Sequence, residues 1–237
     1  KLDISKFKTY KLPGGYQLDK FKINLNLASP IAIFLGKIGA KKNKKESSLL
    51  FNQNLKSLKG NEYLKGYFQT EKYFTEIRDI LLEEFVIKNE ISDFTKKMSK
   101  QILASKNCCS LHIRRGDYIS DKKANSIHGT CNLDYYKKAV EYINNKYEKS
   151  TFYVFSDDIP WTKVNLKIGN VIYIDSKSIP HEDMYLMSLC KNNITANSSF
   201  SWWGAWLNKN KNKTVIAPKQ WFVNKENEVA CKNWIKI

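Results

Sequence analysis

Between residues 107 and 217, short apolar runs alternate with longer amphipathic stretches, and this alternation limits the possible fold more than any other feature. The runs at 108–113, 151–156, 171–174, 193–196 and 214–217 have strand length and polar boundaries. The segments between them carry helical spacing. At 133–148, Leu133, Tyr136, Val140, Ile143 and Tyr147 share one stripe. Further helices are expected at 181–191, at 200–208 and after Ile159-Pro160, where proline suits a first helical turn. Residues up to Thr130 that follow the first strand read as a polar loop. Strands alternating with helices build a parallel sheet covered on both faces. Residues 106–237 therefore read as a doubly wound α/β domain.

Residues 1–105 read as a second half. Pro13-Gly14-Gly15 is a turn signal, and Tyr16-Gln17-Leu18 can open a short helix or strand. Lys41-Lys42-Asn43-Lys44-Lys45 reads as a solvated basic loop and as the best local candidate for contact with acidic lipid head groups. From Glu71 to Ile87, Phe74, Ile77, Ile80, Leu81, Leu82 and Phe85 recur at helical spacing, and a weaker helix is expected at 92–104. No internal repeat is visible.

A chain of 237 residues that is 42% hydrophobic and 27% charged can bury a substantial core. The excess of 40 Lys+Arg over 23 Asp+Glu gives a net charge of +17. Nearly all of the surplus is scattered lysine, which favours general attraction to anionic ligands or membrane surfaces over specific nucleic-acid recognition. The five cysteines form an odd set without Cys-x-x-Cys spacing, which speaks for a reducing, cytoplasmic setting and against zinc. The longest apolar run, Ile31 to Leu35, is far too short to span a bilayer.

Ligands of open parallel sheets bind outside the carboxyl ends of the strands, and the unusual polar residues of this sequence all fall there. His112-Ile113-Arg114-Arg115-Gly116-Asp117 ends the first strand, Ser156-Asp157-Asp158 the second and Asp175-Ser176 the third. Asn197-Ser198-Ser199 ends the fourth and Pro218-Lys219 the fifth. Two adjacent guanidiniums need partners, because unpaired buried charge is expensive. Asp117 can take one, as a structural ion pair, and a pyrophosphate would suit the other. Neighbours on an extended segment point to opposite sides, so Arg114 and Arg115 are expected to differ in role. The tripeptide Arg115-Gly116-Asp117 also occurs in adhesion sequences, a match too short to carry weight.

Asn197 to Ser201 lie where a helix starts, so the hydroxyls can cap it while backbone N–H groups face a phosphate. Asp157 and Asp158 can accept from a purine or from ribose hydroxyls, or Asp158 can simply cap the next helix. The adjacent pair could also hold Mg²⁺ with a pyrophosphate, but the double arginine already supplies that positive charge. Trp202, Trp203 and Trp206 cannot all face one way, so at most one lines a pocket.

The stretch His112 to Tyr118 resembles the signature of the α-1,2-fucosyltransferases, glycosyltransferase family 11. Phe152 to Asp158 and Ala196 to Leu207 resemble the family's other motifs, in the same order. The resemblance covers about Leu2 to Trp234 and is thin between Ile31 and Leu58. It implies a GT-B-like α/β fold of two Rossmann-like halves, with the nucleotide held mainly by the carboxyl-terminal one. The family's opening Gly-Gly-Leu-Gly-Asn-Gln stretch has no counterpart here, which implies an incomplete amino-terminal, acceptor-side half. It also suggests a strand near Gly60 to Thr70, leading into the next helix.

The activity implied is inverting transfer of L-fucose from GDP-β-L-fucose to the 2-hydroxyl of a terminal galactose, without metal or other cofactor. A GDP-sugar-binding module without turnover is the alternative. On this reading Arg114 or Arg115 stabilises the departing GDP, and His112 and Asp157 contact nucleotide or ribose. Ser156, Asp158, Asn197, Ser198, Ser199 and Ser201 complete the donor site. Asp117 is the first candidate for the general base, with His181-Glu182-Asp183 next. The partners implied are the donor and a galactoside acceptor, with peripheral membrane contact and no nucleic acid.

Overall fold

A computed structural model of the chain describes residues 20–22, 43–57, 63–175 and 179–237. The turn at 13–15, the segment 16–18, Lys41, Lys42 and Ser176 lie outside the described residues. The chain divides into two compact units, residues 1–86 with 225–231, and residues 87–224 with 232–237. The helix at 93–104 thus groups with the large sheet, whereas the sequence reading closed the first half at 105.

In the first unit, strand β1 (Asn43–Lys45) pairs in parallel with β2 (Tyr63–Lys65). The expected basic loop is therefore a short strand at its described end. Helix α1 (Gln53–Lys56) is capped by Asn52, whose side chain accepts from Asn54 N at 3.0 Å. The long helix expected over 71–87 is broken into 3-10 turns at 71–73 and 75–77, followed by α2 (Arg78–Glu84). Phe74 interrupts it with φ −140° and ψ 11°, outside the helical region, and none of the residues in the three pieces is buried. Without a packed face, the apolar periodicity does not enforce a continuous helix. Glu228, from the 225–231 segment, accepts from Phe51 N at 2.8 Å and pairs with Lys72 Nζ at 2.6 Å.

The second unit begins with α3 (Asp93–Ala104) and β3 (Cys108–Ile113). The stretch expected as a polar loop instead forms two short helices, α4 (Gly116–Ser120) and α5 (Lys122–His128). Neither has a buried residue, so neither leaves a hydrophobic stripe to read. Asp121 starts α5 by accepting from Lys123 N and Ala124 N. Next come α6 (Leu133–Lys146), β4 (Thr151–Ser156), α7 (Ile159–Asn165) and β5 (Val171–Tyr173). The unit continues through α8 (Pro180–Leu189), β6 (Asn192–Ile194), α9 (Ser199–Trp206), β7 (Val215–Ala217) and β8 (Ile235–Lys236).

All strand pairings in this unit are parallel, and the spatial order is β5-β4-β3-β6-β7-β8. Counted from β3 as the first, this is the order 3-2-1-4-5-6 of the dinucleotide-binding fold. Side chains alternate along the central strands as the pleat requires. Cys109, Leu111, Ile113, Phe152 and Val154 pack with Tyr136, Ala139 and Ile143 of α6 on one face. Cys108, Tyr153 and Phe155 pack with Ile102 of α3 and Leu186 and Met187 of α8 on the other. Each fully buried aliphatic side chain contributes about 1.5–3 kcal/mol. The buried polar groups are tied to the frame: Asn193 Nδ2 donates to Ser110 Oγ at 2.7 Å, and Tyr135 OH donates to Thr195 O at 2.6 Å. No disulfide links any of the five cysteines.

Candidate active site

The strand order reverses between β3 and β6, which places the crevice of such a sheet between the carboxyl ends of these two strands. His112 and the arginines leave β3 there, and Asn197 to Ser201 leave β6 there. Leu111 stands in register with Ile194, and Ile113 with Ser156 of β4. Three motifs distant in sequence therefore share one rim.

Arg114 and Arg115 are both held by carboxylates. Arg114 Nη2 donates to Asp117 Oδ1 at 2.6 Å, and its Nη1 lies 3.0 Å from Asp157 Oδ2. Arg115 Nε donates to Asp158 Oδ2 at 3.2 Å, and its guanidinium lies 3.5 Å from the Trp161 ring centroid. One internal pair was expected, and both arginines have one: two arginines meet three aspartates, a local charge of −1. Their roles still differ. Arg114 is braced by two carboxylates, whereas Arg115 offers only Nε to Asp158 and keeps both Nη groups available. Stacking on Trp161 fixes the plane of its fork.

Asp157 does more bracing than the sequence suggested. Its Oδ1 accepts from the backbone N–H of Arg115 at 2.8 Å, so both oxygens serve the arginine pair. A Cβ on Gly116 would lie 2.6 Å from Asp157 Oδ2, which is why a residue without side chain follows the arginines. Asp158 caps α7 by accepting from Trp161 N at 3.0 Å, and Ser156 Oγ accepts from Asp158 N at 3.0 Å. Ser156 and Asp158 are thereby committed to the strand-to-helix turn.

On the other side of the crevice, Ser198 occupies the cap position of α9, but its side chain makes no cap hydrogen bond. The helix thus opens without the hydroxyl cap expected of it, and its first N–H groups retain their attraction for an anion. Ser199 begins the helix, and Ser201 Oγ, buried, accepts from Ala196 N at 3.2 Å. Asn197 Nδ2 donates to His128 O at 2.8 Å and reaches Gly129 O and Trp221 O, so this amide shapes the loop. Tyr118 OH donates to Asn197 O at 3.3 Å, its ring stacks on His128 at 4.7 Å, and burial pushes its phenol up to about 12. Trp202 and Trp206 are core residues, and Trp203 is half-buried.

His112 is 4% exposed, and its Nδ1 has no hydrogen-bond partner. Burial, reinforced by the Arg114 charge, lowers its pKa from 6.5 to about 3, so the ring is neutral. Its ring lies 5.5 Å from Phe200 in the first turn of α9. Glu182, offered with His181 and Asp183 as a second base candidate, is instead buried and accepts from Ser92 N, Ser92 Oγ and Thr95 Oγ1. It anchors α3 to α8 and has no oxygen to spare. Among the described residues no cluster of His, Cys, Asp and Glu suits a metal ion. Trp161, Phe200 and Tyr118 are site neighbours that sequence reasoning missed. Trp161 carried a readable signal, an aromatic residue in the first turn of the helix after Asp157-Asp158.

A parallel sheet of this order, with helices packed on both faces, defines a Rossmann-type α/β unit. The sequence profile of glycosyl transferase family 11 matches residues 35–237. The chain is 35% identical to an alpha-1,2-colitosyltransferase of Escherichia coli, over 100% of this chain and 88% of that protein. It is 38% identical to the O-antigen biosynthesis glycosyltransferase WbnK of Escherichia coli, over 79% of this chain and 65% of that protein. It is 22% identical to galactoside alpha-(1,2)-fucosyltransferase 1 of Leontopithecus chrysomelas, over 62% of this chain and 44% of that protein. The chain belongs to glycosyl transferase family 11 and has a GT-B-like α/β fold. Among the described residues, no helix is long and apolar enough to cross a membrane.

Proposed function

We propose that this glycosyltransferase moves L-fucose from GDP-β-L-fucose to the 2-hydroxyl of a terminal galactose, with inversion at the anomeric carbon. The observation that carries the reading is Arg115, held flat on Trp161 and by Asp158 at the carboxyl ends of β3 and β4, with two Nη groups left to donate. Such a fork meets the oxygens of a departing diphosphate and stabilises the charge that grows as the glycosidic bond breaks. The start of α9 adds backbone N–H groups on the other side of the crevice. Neutral His112 can offer a ring nitrogen to the nucleotide without adding charge.

The unit containing the large sheet holds the donor on this reading, and the other unit serves the acceptor. Asp117 is the candidate base: Oδ1 is pinned by Arg114, and the half-exposed carboxylate keeps Oδ2 for an acceptor hydroxyl within hydrogen-bond reach. Asp157 and Asp158 act as braces, and on this reading the diphosphate is met without a metal by the Nη donors of Arg115 and the first N–H groups of α9.

One observation favours a second donor. The Escherichia coli relative covered over the whole chain is named for colitose, which is fucose lacking its 3-hydroxyl. The experiment is GDP release and product analysis with lactose, using GDP-fucose and GDP-colitose in parallel. Transfer of fucose in an α-1,2 linkage supports the proposal. Turnover with GDP-colitose alone replaces the donor but keeps the chemistry. GDP binding without turnover on either donor marks a GDP-sugar-binding module instead.

A further inference from the structure

We propose that the amino-terminal rim of the six-stranded sheet is a docking face for a membrane surface rich in acidic phospholipid. Because every strand pair is parallel, the loops that enter β3, β4, β5, β6 and β7 converge on one edge, opposite the crevice. These loops span 105–107, 147–150, 166–170, 190–191 and 207–214, and they carry the exposed lysines Lys106, Lys149, Lys167, Lys191, Lys209 and Lys211. Their single acidic residue is Glu148. Six positive charges against one contrast with the strands' carboxyl ends, where Asp117, Asp157, Asp158 and Asp175 outweigh Arg114, Arg115 and Lys219. Among the loops of the sheet, exposed lysine is thus enriched on this edge.

Lysines at this edge have an ordinary explanation, since helix carboxyl ends attract cations. It accounts for one of the six, Lys167, whose Nζ donates to Lys163 O in the last turn of α7 at 2.8 Å, and Lys191 Nζ is taken by the loop carbonyl of Lys106 at 2.5 Å. Lys149, Lys209 and Lys211 lie in loops beyond the helix ends, and among the described residues none of the six forms an ion pair. Two aliphatic side chains flank the same rim. Leu103, in the last turn of α3, is 64% exposed, and Val164, in the last turn of α7, is 69% exposed. Cationic side chains bordered by exposed aliphatics match the layering of a bilayer interface, head groups outside and acyl chains beneath.

A polyanion such as nucleic acid fits less well. The loops contain no arginine, and their one aromatic residue, Tyr147, is half-buried with its hydroxyl on Thr214 Oγ1 at 2.7 Å. Nothing there can stack on a base or fork a phosphate. Docking by this rim also points the crevice away from the lipid. If the donor is a GDP-sugar, as proposed above, its negative charge would be repelled by the same anionic surface. The docking itself does not depend on that reading.

Each lysine near an anionic leaflet contributes about fivefold to partitioning. The test is co-sedimentation of the full chain with vesicles of phosphatidylcholine alone or mixed with phosphatidylglycerol, at low and high salt. Salt-sensitive binding is expected only to the mixed vesicles. The triple variant Lys149→Glu, Lys209→Glu and Lys211→Glu should reduce it at least a hundredfold while turnover of soluble lactose is unchanged. Four substitutions to glutamate at Lys41, Lys42, Lys44 and Lys45 serve as the control. Unchanged binding by the rim variant, or loss confined to the control, overturns the proposal. Tight binding to duplex DNA without vesicle binding overturns it in favour of nucleic acid. Failure of lactose turnover in every variant and the parent touches only the transferase reading.

Discussion

Gly116→Ala places a methyl carbon 2.6 Å from Asp157 Oδ2, where ordinary contact begins at 3.4 Å. The carboxylate must therefore retreat by about 0.8 Å, the difference of those two distances. It cannot do so freely, because Oδ1 holds Arg115 N at 2.8 Å and Oδ2 lies 3.0 Å from Arg114 Nη1. One of these contacts must lengthen past hydrogen-bonding range. A charge-assisted hydrogen bond is worth roughly 1.5–3 kcal/mol, less here because both side chains of the ion pair are about a quarter exposed. Alanine at the first position of α4 returns up to ~1 kcal/mol of helix propensity. Net stability should thus change by about 1 kcal/mol or less in urea unfolding.

The effect on activity should be larger. A shift approaching 1 Å in groups that position the arginines can cost up to ~10²-fold, so kcat/KM for the donor should fall between about tenfold and a hundredfold. The same substitution made on an Asp157→Ala background has nothing to strike, and there it should be almost neutral. This double-mutant cycle isolates the steric cause. Parental kcat/KM in Gly116→Ala, or an equal loss in both backgrounds, would show that the brace is not what orients the arginines.

Three further outcomes are expected. His112 binds its proton at about 3 when folded and near 6.5 when unfolded, so the folded state holds fewer protons between those values. Stability should fall as pH drops below 6.5, by up to about 1.4 kcal/mol per pH unit, and His112→Gln should flatten that slope in urea titrations. For Glu182, burial pushes the pKa up, but the hydrogen bonds from Ser92 and Thr95 outweigh it and hold the carboxyl below 4.5. Its contribution is present above the ordinary carboxylate range and lost as pH falls through the folded value. Glu182→Ala should cost about 3 kcal/mol in urea unfolding, and a loss within ~0.5 kcal/mol would refute the anchoring role. Transfer should persist in excess EDTA, because Asp157 and Asp158 spend their oxygens on arginine and backbone partners. Inactivation reversed by Mg²⁺ or Mn²⁺ would show a metal site instead.

The core strands were legible because continuous apolar runs end sharply at polar residues: β3 and β4 have the boundaries read from sequence. Helices α4 and α5 were not legible, since neither buries a side chain, and β8, two residues long, is too short for any periodicity. The gathering of His112, Asp157 and Ser198 at one rim followed from the strand map alone. What each group does there did not. The bond from Arg115 N to Asp157 spans 42 residues, and nothing local distinguishes a bracing aspartate from one awaiting a ribose. The buried carboxylate of Glu182 was unreadable for the same reason, its partners lying 87 and 90 residues away.

The path of the chain through its two units has a consequence for biosynthesis. Glu228 bonds Phe51 N across 177 residues, yet it is translated only after the sheet has been laid down through β7. The first unit must therefore wait, part-made, while most of the second is synthesised, and β8 then completes the sheet from residues that follow Glu228. So late a closure carries a large entropic search and leaves early segments open to chaperones or proteases during elongation. Release of a nascent chain ending at Asn224 should leave both units unfinished at once, the first lacking its 225–231 segment and the second its edge strand.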